Sequence, residues 1–112
     1  MLKSKLILIL FFSLIVENTS LGASFDCELA KSNIEKLICS DSEISSLDDE
    51  LSKAYLDIKN KAKKPEFLKQ NQLEWLRKRD ECGNELCLKN EYISRKEFID
   101  KWLAYENNIS EK

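Results

Sequence analysis

The pattern of apolar and charged positions after residue 40 predicts one long amphipathic helix. Charged side chains separate the apolar ones at steps of three and four residues, which places the apolar side chains along one face. The segment Ser40-Asp41-Ser42-Glu43 matches a capping box with Ser40 as the N-cap residue, and Cys39 and Ile44 stand where a hydrophobic staple would pack. The buried stripe predicted for this helix consists of Ile44, Leu47, Leu51, Ala54, Tyr55, Ile58 and Ala62.

Two further helices follow the long one. Lys63-Lys64-Pro65 ends it, and Pro65 suits the first turn of the next helix because a missing N–H needs no partner there. Cys82-Gly83 supplies the stop for that helix. The last helix is predicted from about residue 85 to 107, and residues 108–112 should fray. The faces expected to be buried are Leu68, Gln72, Trp75, Leu76 and Arg79 in the first of these two helices, and Leu88, Tyr92, Arg95, Ile99, Trp102 and Leu103 in the second.

Residues 1–23 have the features of a cleavable secretory signal. Residues 1–5 carry two lysines, and residues 6–16 form an apolar run interrupted only by Ser13. This run is shorter than the ~20 residues that a membrane-spanning helix needs. We therefore expect cleavage after Ala23 or Gly22, a periplasmic or secreted protein, and no stable membrane anchor after cleavage. An uncleaved N-terminal anchor is the alternative interpretation.

The composition narrows the classes of function. The chain has 112 residues, with 18 basic and 20 acidic side chains, two glycines, one proline and no histidine. The lack of histidine excludes Ser-His and Cys-His catalytic dyads, and two glycines cannot build a phosphate-binding loop. The formal net charge of −2 becomes −3 when Lys3, Lys5 and Glu17 leave with the signal, which argues against nucleic-acid binding. We expect one all-α domain over residues 24–112, of about three to four helices and without a cofactor.

Four cysteines in the exported part predict two disulfide bonds. A bridge between Cys82 and Cys87 would join the ends of two helices at the Cα separation of about 5.5 Å that a disulfide needs. Pairing Cys27 with Cys39 requires the chain to fold back, since one straight helix would separate them by about 18 Å. Long-range pairing between the two halves stays open, and a zinc site is the alternative, although no CxxC motif or histidine supports it.

A short helix over residues 33–39 would allow the chain to fold back. Ser32 can cap this helix, and Glu35 stands three residues later, as in a capping box. The preceding residues are then free to return beside the helix end, which supports the pairing of Cys27 with Cys39.

Several short motifs surround the cysteines and the predicted helix faces. They are Phe25-Asp26-Cys27, Ala30, Glu35-Lys36-Leu37-Ile38-Cys39, Leu47-Asp48 with Leu51 and Tyr55, Gln72-Leu73-Glu74-Trp75-Leu76 with Arg79-Asp80 and Cys82-Gly83, and Cys87-Leu88 with Tyr92 and Arg95. Together they make the chain resemble the LprI-type lysozyme-inhibitor domains, small exported bacterial proteins, over nearly all of residues 24–112. The resemblance implies a compact, helical, disulfide-bonded domain in the cell envelope, and the family's named member inhibits lysozyme.

Inhibition of lysozyme would require a rigid, protruding segment with hydrogen-bond donors, because the cleft of a glycosidase holds two carboxyl groups. The segment between Cys82 and Cys87 meets this description, and Asn84 and Glu85 at its tip are the residues expected to contact the enzyme. An acidic protein would also be steered towards a cationic lysozyme. A non-catalytic structural or protein-binding module of the envelope is the alternative function.

Aromatic and arginine side chains near this segment are further binding candidates, because such residues dominate the energetics of protein interfaces. The alternative is that they pack in the core and that the arginines pair with Asp80, Glu91 or Asp48. Asp48 and Asp49 themselves are expected on a solvated helix face, so no carboxylate pair is marked out for catalysis and we expect no enzyme activity. The candidates are Trp75, Arg79, Tyr92 and Arg95.

Overall fold

The computed structural model describes residues 24–110, and over these residues the chain is entirely helical apart from its connections. A 3₁₀ turn at Cys27–Leu29 precedes four helices, and no strand occurs in this range. The prediction of a small all-α domain is therefore confirmed. The predicted signal, residues 1–23, lies outside the described residues. The helices are α1 (Asn33–Ser40), α2 (Ser42–Lys61), α3 (Pro65–Asp80) and α4 (Glu85–Ser110).

Local capping determines where the first two helices begin. Ser32 and Glu35 form the predicted capping box at the start of α1. The predicted cap of α2 was wrong by one residue: Asp41, not Ser40, accepts hydrogen bonds from the backbone N–H groups of Glu43 and Ile44, at 2.9 and 3.2 Å. Ser40 instead ends α1 and donates its hydroxyl to the carbonyl of Leu37. An aspartate caps as well as a serine, and this shift moves Cys39 and Ile44 out of the staple positions.

The pairs of residues in contact show how the helices run. Glu43 and Asp48 of α2 meet Lys89 and Tyr92 of α4 in ascending order, so these two helices are parallel. Phe67 and Trp75 of α3 meet Trp102 and Tyr92 of α4 in descending order, so α3 is antiparallel to both. Every buried apolar residue of α2, α3 and α4 belongs to a stripe predicted from the sequence. The core consists of Ile38, Ile44, Leu51, Ala54, Ile58, Leu68, Trp75, Cys82, Leu88, Tyr92 and Ile99.

Two disulfide bonds join neighbouring parts of the chain. Cys27 is bonded to Cys39 and Cys82 to Cys87, with Cα separations of 5.8 and 5.5 Å. The local pairing is confirmed, and both the long-range pairing and the zinc alternative are excluded because all four thiols are used. The first bridge holds the 3₁₀ turn against the end of α1, and the second spans the connection between α3 and α4.

Two helix ends differ from the prediction. Helix α3 ends at Asp80, three residues before Gly83, and α4 continues to Ser110 instead of fraying after residue 107. The last turns of α4 are stabilised because Trp102 donates its indole N–H to the buried Glu106 at 3.1 Å. Residues 111 and 112 lie outside the described range. No helix within residues 24–110 is long and apolar enough to cross a membrane.

Candidate functional site

The segment from Cys82 to Cys87, termed here the bridged loop, is a short turn fixed at both ends by the disulfide. Asn84 begins helix α4: its side-chain Oδ1 accepts the N–H of Cys87 at 2.9 Å, and its carbonyl accepts the N–H of Leu88 at 3.2 Å. This capping bond fixes the amide so that Oδ1 faces the helix. The two Nδ2 hydrogens make no hydrogen bond within residues 24–110 and are available to a partner.

The bridged loop borders an open depression on the surface. Leu37 from the last turn of α1 forms one side, and Gly83, Asn84, Glu85 and Leu86 form the other. Leu86 is 68% exposed and so offers an apolar surface beside the loop. The loop therefore presents an amide donor, a carboxylate and an apolar side chain on one rigid surface.

An ion cluster joins the start of α2 to α4 beside the bridged loop. Lys89 lies 3.0 Å from Glu43 and 3.8 Å from Asp41. The hydrogen bond from the backbone N–H of Ile44, and then the nearby Lys89, lower the pKa of the Asp41 carboxyl. The hydrogen bond with Glu43 raises the pKa of Lys89. Both side chains are partly exposed and open to screening by solvent, so the cluster orients the surface beside the loop more than it stabilises the fold.

Three of the four aromatic and arginine candidates meet at one place behind the bridged loop. Tyr92 is completely buried and packs edge-to-face on Trp75, with 5.3 Å between ring centroids. Its hydroxyl donates to Asp48 at 2.7 Å and accepts from Arg79 at 3.4 Å, while Arg79 also binds Asp80 at 2.8 Å. Burial, followed by the neighbouring Asp48 carboxylate, raises the pKa of Tyr92, which keeps this hydroxyl a donor.

The fourth candidate, Arg95, lies one turn further along α4. Its guanidinium donates to the side-chain oxygens of Gln72 and Asn71, at 2.8 and 2.6 Å, and lies over the rings of Trp75 and Phe98. The expectation that Arg95 pairs with a carboxylate was wrong: in the structure its partners are amide oxygens. Burial lowers the pKa of Arg95, and no carboxylate within residues 24–110 forms an ion pair with it.

Comparison with known families decides what kind of protein carries this surface. The family described as lysozyme inhibitor LprI matches residues 27–107, which include both disulfides and the four helices up to the last turn of α4. The chain belongs to the LprI lysozyme inhibitor family. No curated protein and no solved structure matches the chain.

Of the six binding candidates in this LprI domain, Trp75, Tyr92 and Arg95 are buried and Arg79 is half-buried. The two exposed candidates are Asn84 and Glu85. The buried side chains connect α2, α3 and α4 directly behind the bridged loop. Within residues 24–110, no cluster of three or more Cys, Asp or Glu side chains is arranged to hold a metal ion.

The prediction that Asp48 lies on a solvated helix face of this LprI domain is wrong. Asp48 is 5% exposed and accepts hydrogen bonds from Tyr92 and from the backbone N–H of Ser24. Its spacing carried the signal, because Asp48 stands four residues after Ile44 and three before Leu51 and so falls on the buried stripe. Its neighbour Asp49 does lie outside the core and pairs with Lys53 at 3.3 Å.

Proposed function

We propose that this LprI-family protein is exported and inhibits a lysozyme by placing the bridged loop in the glycan-binding cleft of the enzyme. Membership in the family supports inhibition as the function, and the apolar run in residues 6–16 supports export. The observation that carries the choice of surface is Asn84, whose capping bond leaves both Nδ2 hydrogens free at an exposed, disulfide-fixed turn.

The cleft of a lysozyme suits such a donor. A glycosidase holds two carboxyl groups on either side of the scissile bond, and at least one is ionised in the resting enzyme. The Nδ2 hydrogens of Asn84 donate to such an oxygen without introducing a charge that would need to be desolvated. Leu86 adds apolar contact beside it, and the disulfide keeps the loop in one conformation, which lowers the entropy lost on docking.

Trp75, Arg79, Tyr92 and Arg95 have a supporting role in this proposal. Their network joins α3 and α4, the two helices whose ends the bridged loop connects. Removing one of these side chains would change the position of the loop together with the stability of the core. Such variants therefore cannot separate binding from folding.

Asn84→Asp separates the two effects and tests the proposed surface. Aspartate caps a helix as well as asparagine does, so the melting temperature should stay near that of the wild type. It replaces the donating amide by a second carboxylate oxygen opposite an acidic cleft, so inhibition of lysozyme should weaken by roughly tenfold or more. Asn108→Asp is the matched control, because it makes the same change of charge about 35 Å away along α4.

The measurement is the inhibition constant of the oxidised mature protein and both variants against lysozymes of several structural types. The wild type and Asn108→Asp should inhibit equally. If Asn84→Asp inhibits as well as they do, the bridged loop is not the docking surface. If none of the three inhibits any lysozyme, the non-catalytic envelope module becomes the better description.

A further inference from the structure

We propose that the exported precursor is cleaved between Ala23 and Ser24, and that the α-ammonium group created on Ser24 binds the buried carboxylate of Asp48. This inference rests on the prediction that residues 1–23 are a secretory signal. It is independent of the proposed binding of lysozyme. It also decides between the two cleavage positions that the sequence leaves open.

The contact that carries the proposal joins Ser24, the first described residue, to Asp48 in the first half of α2. The backbone nitrogen of Ser24 lies 2.6 Å from Oδ2 of Asp48, while Oδ1 of the same carboxylate accepts the hydroxyl of Tyr92. Asp48 is 5% exposed, and no lysine or arginine side chain within residues 24–110 forms an ion pair with it. Within the described residues this buried carboxylate therefore has two hydrogen-bond donors and no ion pair, and Arg79 is linked to it only through the hydroxyl of Tyr92.

Cleavage supplies the missing charge. In the uncleaved chain the nitrogen of Ser24 is a neutral amide with one hydrogen. Signal peptidase adds water across the Ala23–Ser24 bond: the hydroxyl goes to the carbonyl carbon of Ala23, and the proton goes to the nitrogen of Ser24. The resulting amine takes up another proton near neutral pH, since an α-amino group has a pKa of about 7.7–8.0. A buried carboxylate is far less costly beside such a cation than without one.

The surroundings of Ser24 hold the new terminus in place. A cavity of about 260 Å³ between α2 and α3 is lined by Ser24 together with Asp48, Tyr55, Trp75 and Arg79. Phe25 packs against the core, and the bridge from Cys27 to Cys39 fixes the chain three residues after Ser24.

Cleavage after Gly22 would leave one more residue on the chain. The ammonium would then be displaced by up to about 3.5 Å from the nitrogen that meets Asp48. Only cleavage after Ala23 places the charge on the nitrogen that contacts the carboxylate.

The test uses the full-length precursor, exported and processed by the cell, followed by intact mass and thermal unfolding. One threonine inserted between Ala23 and Ser24 moves the ammonium one residue away but leaves the rest of the chain unchanged. Ser24→Ala is the matched control, because it alters the side chain and keeps the α-amine in place. The insertion should lower the melting temperature by about 4–8 °C, and Ser24→Ala should not change it.

A double-mutant cycle that combines the insertion with Asp48→Asn shows whether the decrease in melting temperature arises at the proposed ion pair. In the Asp48→Asn background the insertion should cause no further decrease, because the carboxylate is already absent. If Asp48→Asn does not fold, the difference in melting temperature between the insertion variant and Ser24→Ala still tests whether the position of the α-ammonium group affects stability. The proposal is overturned if the mature mass does not begin at Ser24, if the insertion melts like the wild type, or if it causes the same loss with and without Asp48.

Discussion

Single buried polar side chains determine how the three long helices meet. Tyr92 of α4 donates to Asp48 of α2 and accepts from Arg79 of α3, so one hydroxyl joins all three. The environment is largely apolar, and an unpaired polar group there would cost far more than the same group at the surface. The network therefore favours one arrangement of the helices over alternatives with the same apolar contacts.

Replacing Tyr92 by phenylalanine tests this network. The ring and its contact with Trp75 are retained, but Asp48 loses one of its two donors, so the protein should be less stable by about 1–3 kcal/mol. Tyr105→Phe on the same helix is the control, because Tyr105 is 62% exposed and its hydroxyl can bind water. Thermal unfolding of the two variants measures the difference, and equal stabilities would show that the hydroxyl of Tyr92 contributes nothing.

The cap of α2 gives a prediction about pH. The pKa of Asp41 is lower in the folded protein than in the unfolded chain, so its charge contributes stability above about pH 4 that is lost as the pH falls. Asp41→Asn keeps an equally good helix cap but removes its negative charge. The variant therefore also loses the interaction with Lys89, which lies beside Glu43 and Glu85. The advantage in melting temperature of the wild type over Asp41→Asn should be present at pH 7 and should shrink as the pH falls below about 4. A difference that stays constant from pH 7 into this acidic range would contradict the contribution of the Asp41 charge.

The partners of these side chains show where prediction from sequence stops. Arg79 does bind its neighbour Asp80, as a local interaction should. Arg95 and Asp48 have partners more than 20 residues away, at Gln72 and Tyr92, and the sequence pattern contains no information on which faces of different helices meet. Position on the buried stripe was predictable for Arg95 and, by the same rule, for Asp48, but the identity of the partner was not.

At the scale of the helices, sequence reasoning was more successful because the signals are local. The starts of α1, α3 and α4 agree with the caps, the proline and the loop that predicted them. The errors are at α2, whose cap is Asp41, and at the ends of α3 and α4. Each of these ends depends on competition between adjacent caps or on packing with another helix, which a single-helix pattern does not describe.

The two disulfides should differ in their contribution to stability and to function. The bridge from Cys27 to Cys39 spans 12 positions and the one from Cys82 to Cys87 spans 5, so loss of chain entropy predicts contributions of about 3 and about 2 kcal/mol. Alanine at both cysteines of the first bridge should lower the melting temperature more. Alanine at both cysteines of the second should lower inhibition of lysozyme more, because the bridged loop, which we propose enters the cleft, loses its rigidity.

Unfolding and inhibition assays on the two double variants check both predicted rankings, the one in melting temperature and the one in inhibition of lysozyme. If the variant without the second bridge is the less stable one, packing of the buried Cys82 outweighs loop closure. If it inhibits as well as the wild type, a rigid loop is not needed for docking.

At the scale of the whole molecule, the fold separates a stable interior from one distinctive surface. The antiparallel pair of α3 and α4 places the bridged loop at one end of the bundle, and Ser24 and the Asp48 network lie behind it. If the proposed function holds, the formal net charge of −3 expected after signal cleavage should speed association with a cationic lysozyme without determining where the protein binds. The rate of association should therefore fall as salt is raised to physiological strength.

Titration of a lysozyme with the oxidised mature protein tests the central claim most directly. The rate of cell-wall glycan hydrolysis is followed at fixed enzyme and increasing inhibitor, with short glycan oligomers added as competitors for the cleft. The account predicts that activity of at least one lysozyme type falls to near zero at one inhibitor per enzyme, and that the oligomers weaken the effect. Full activity of every lysozyme type at micromolar excess of the protein would contradict it.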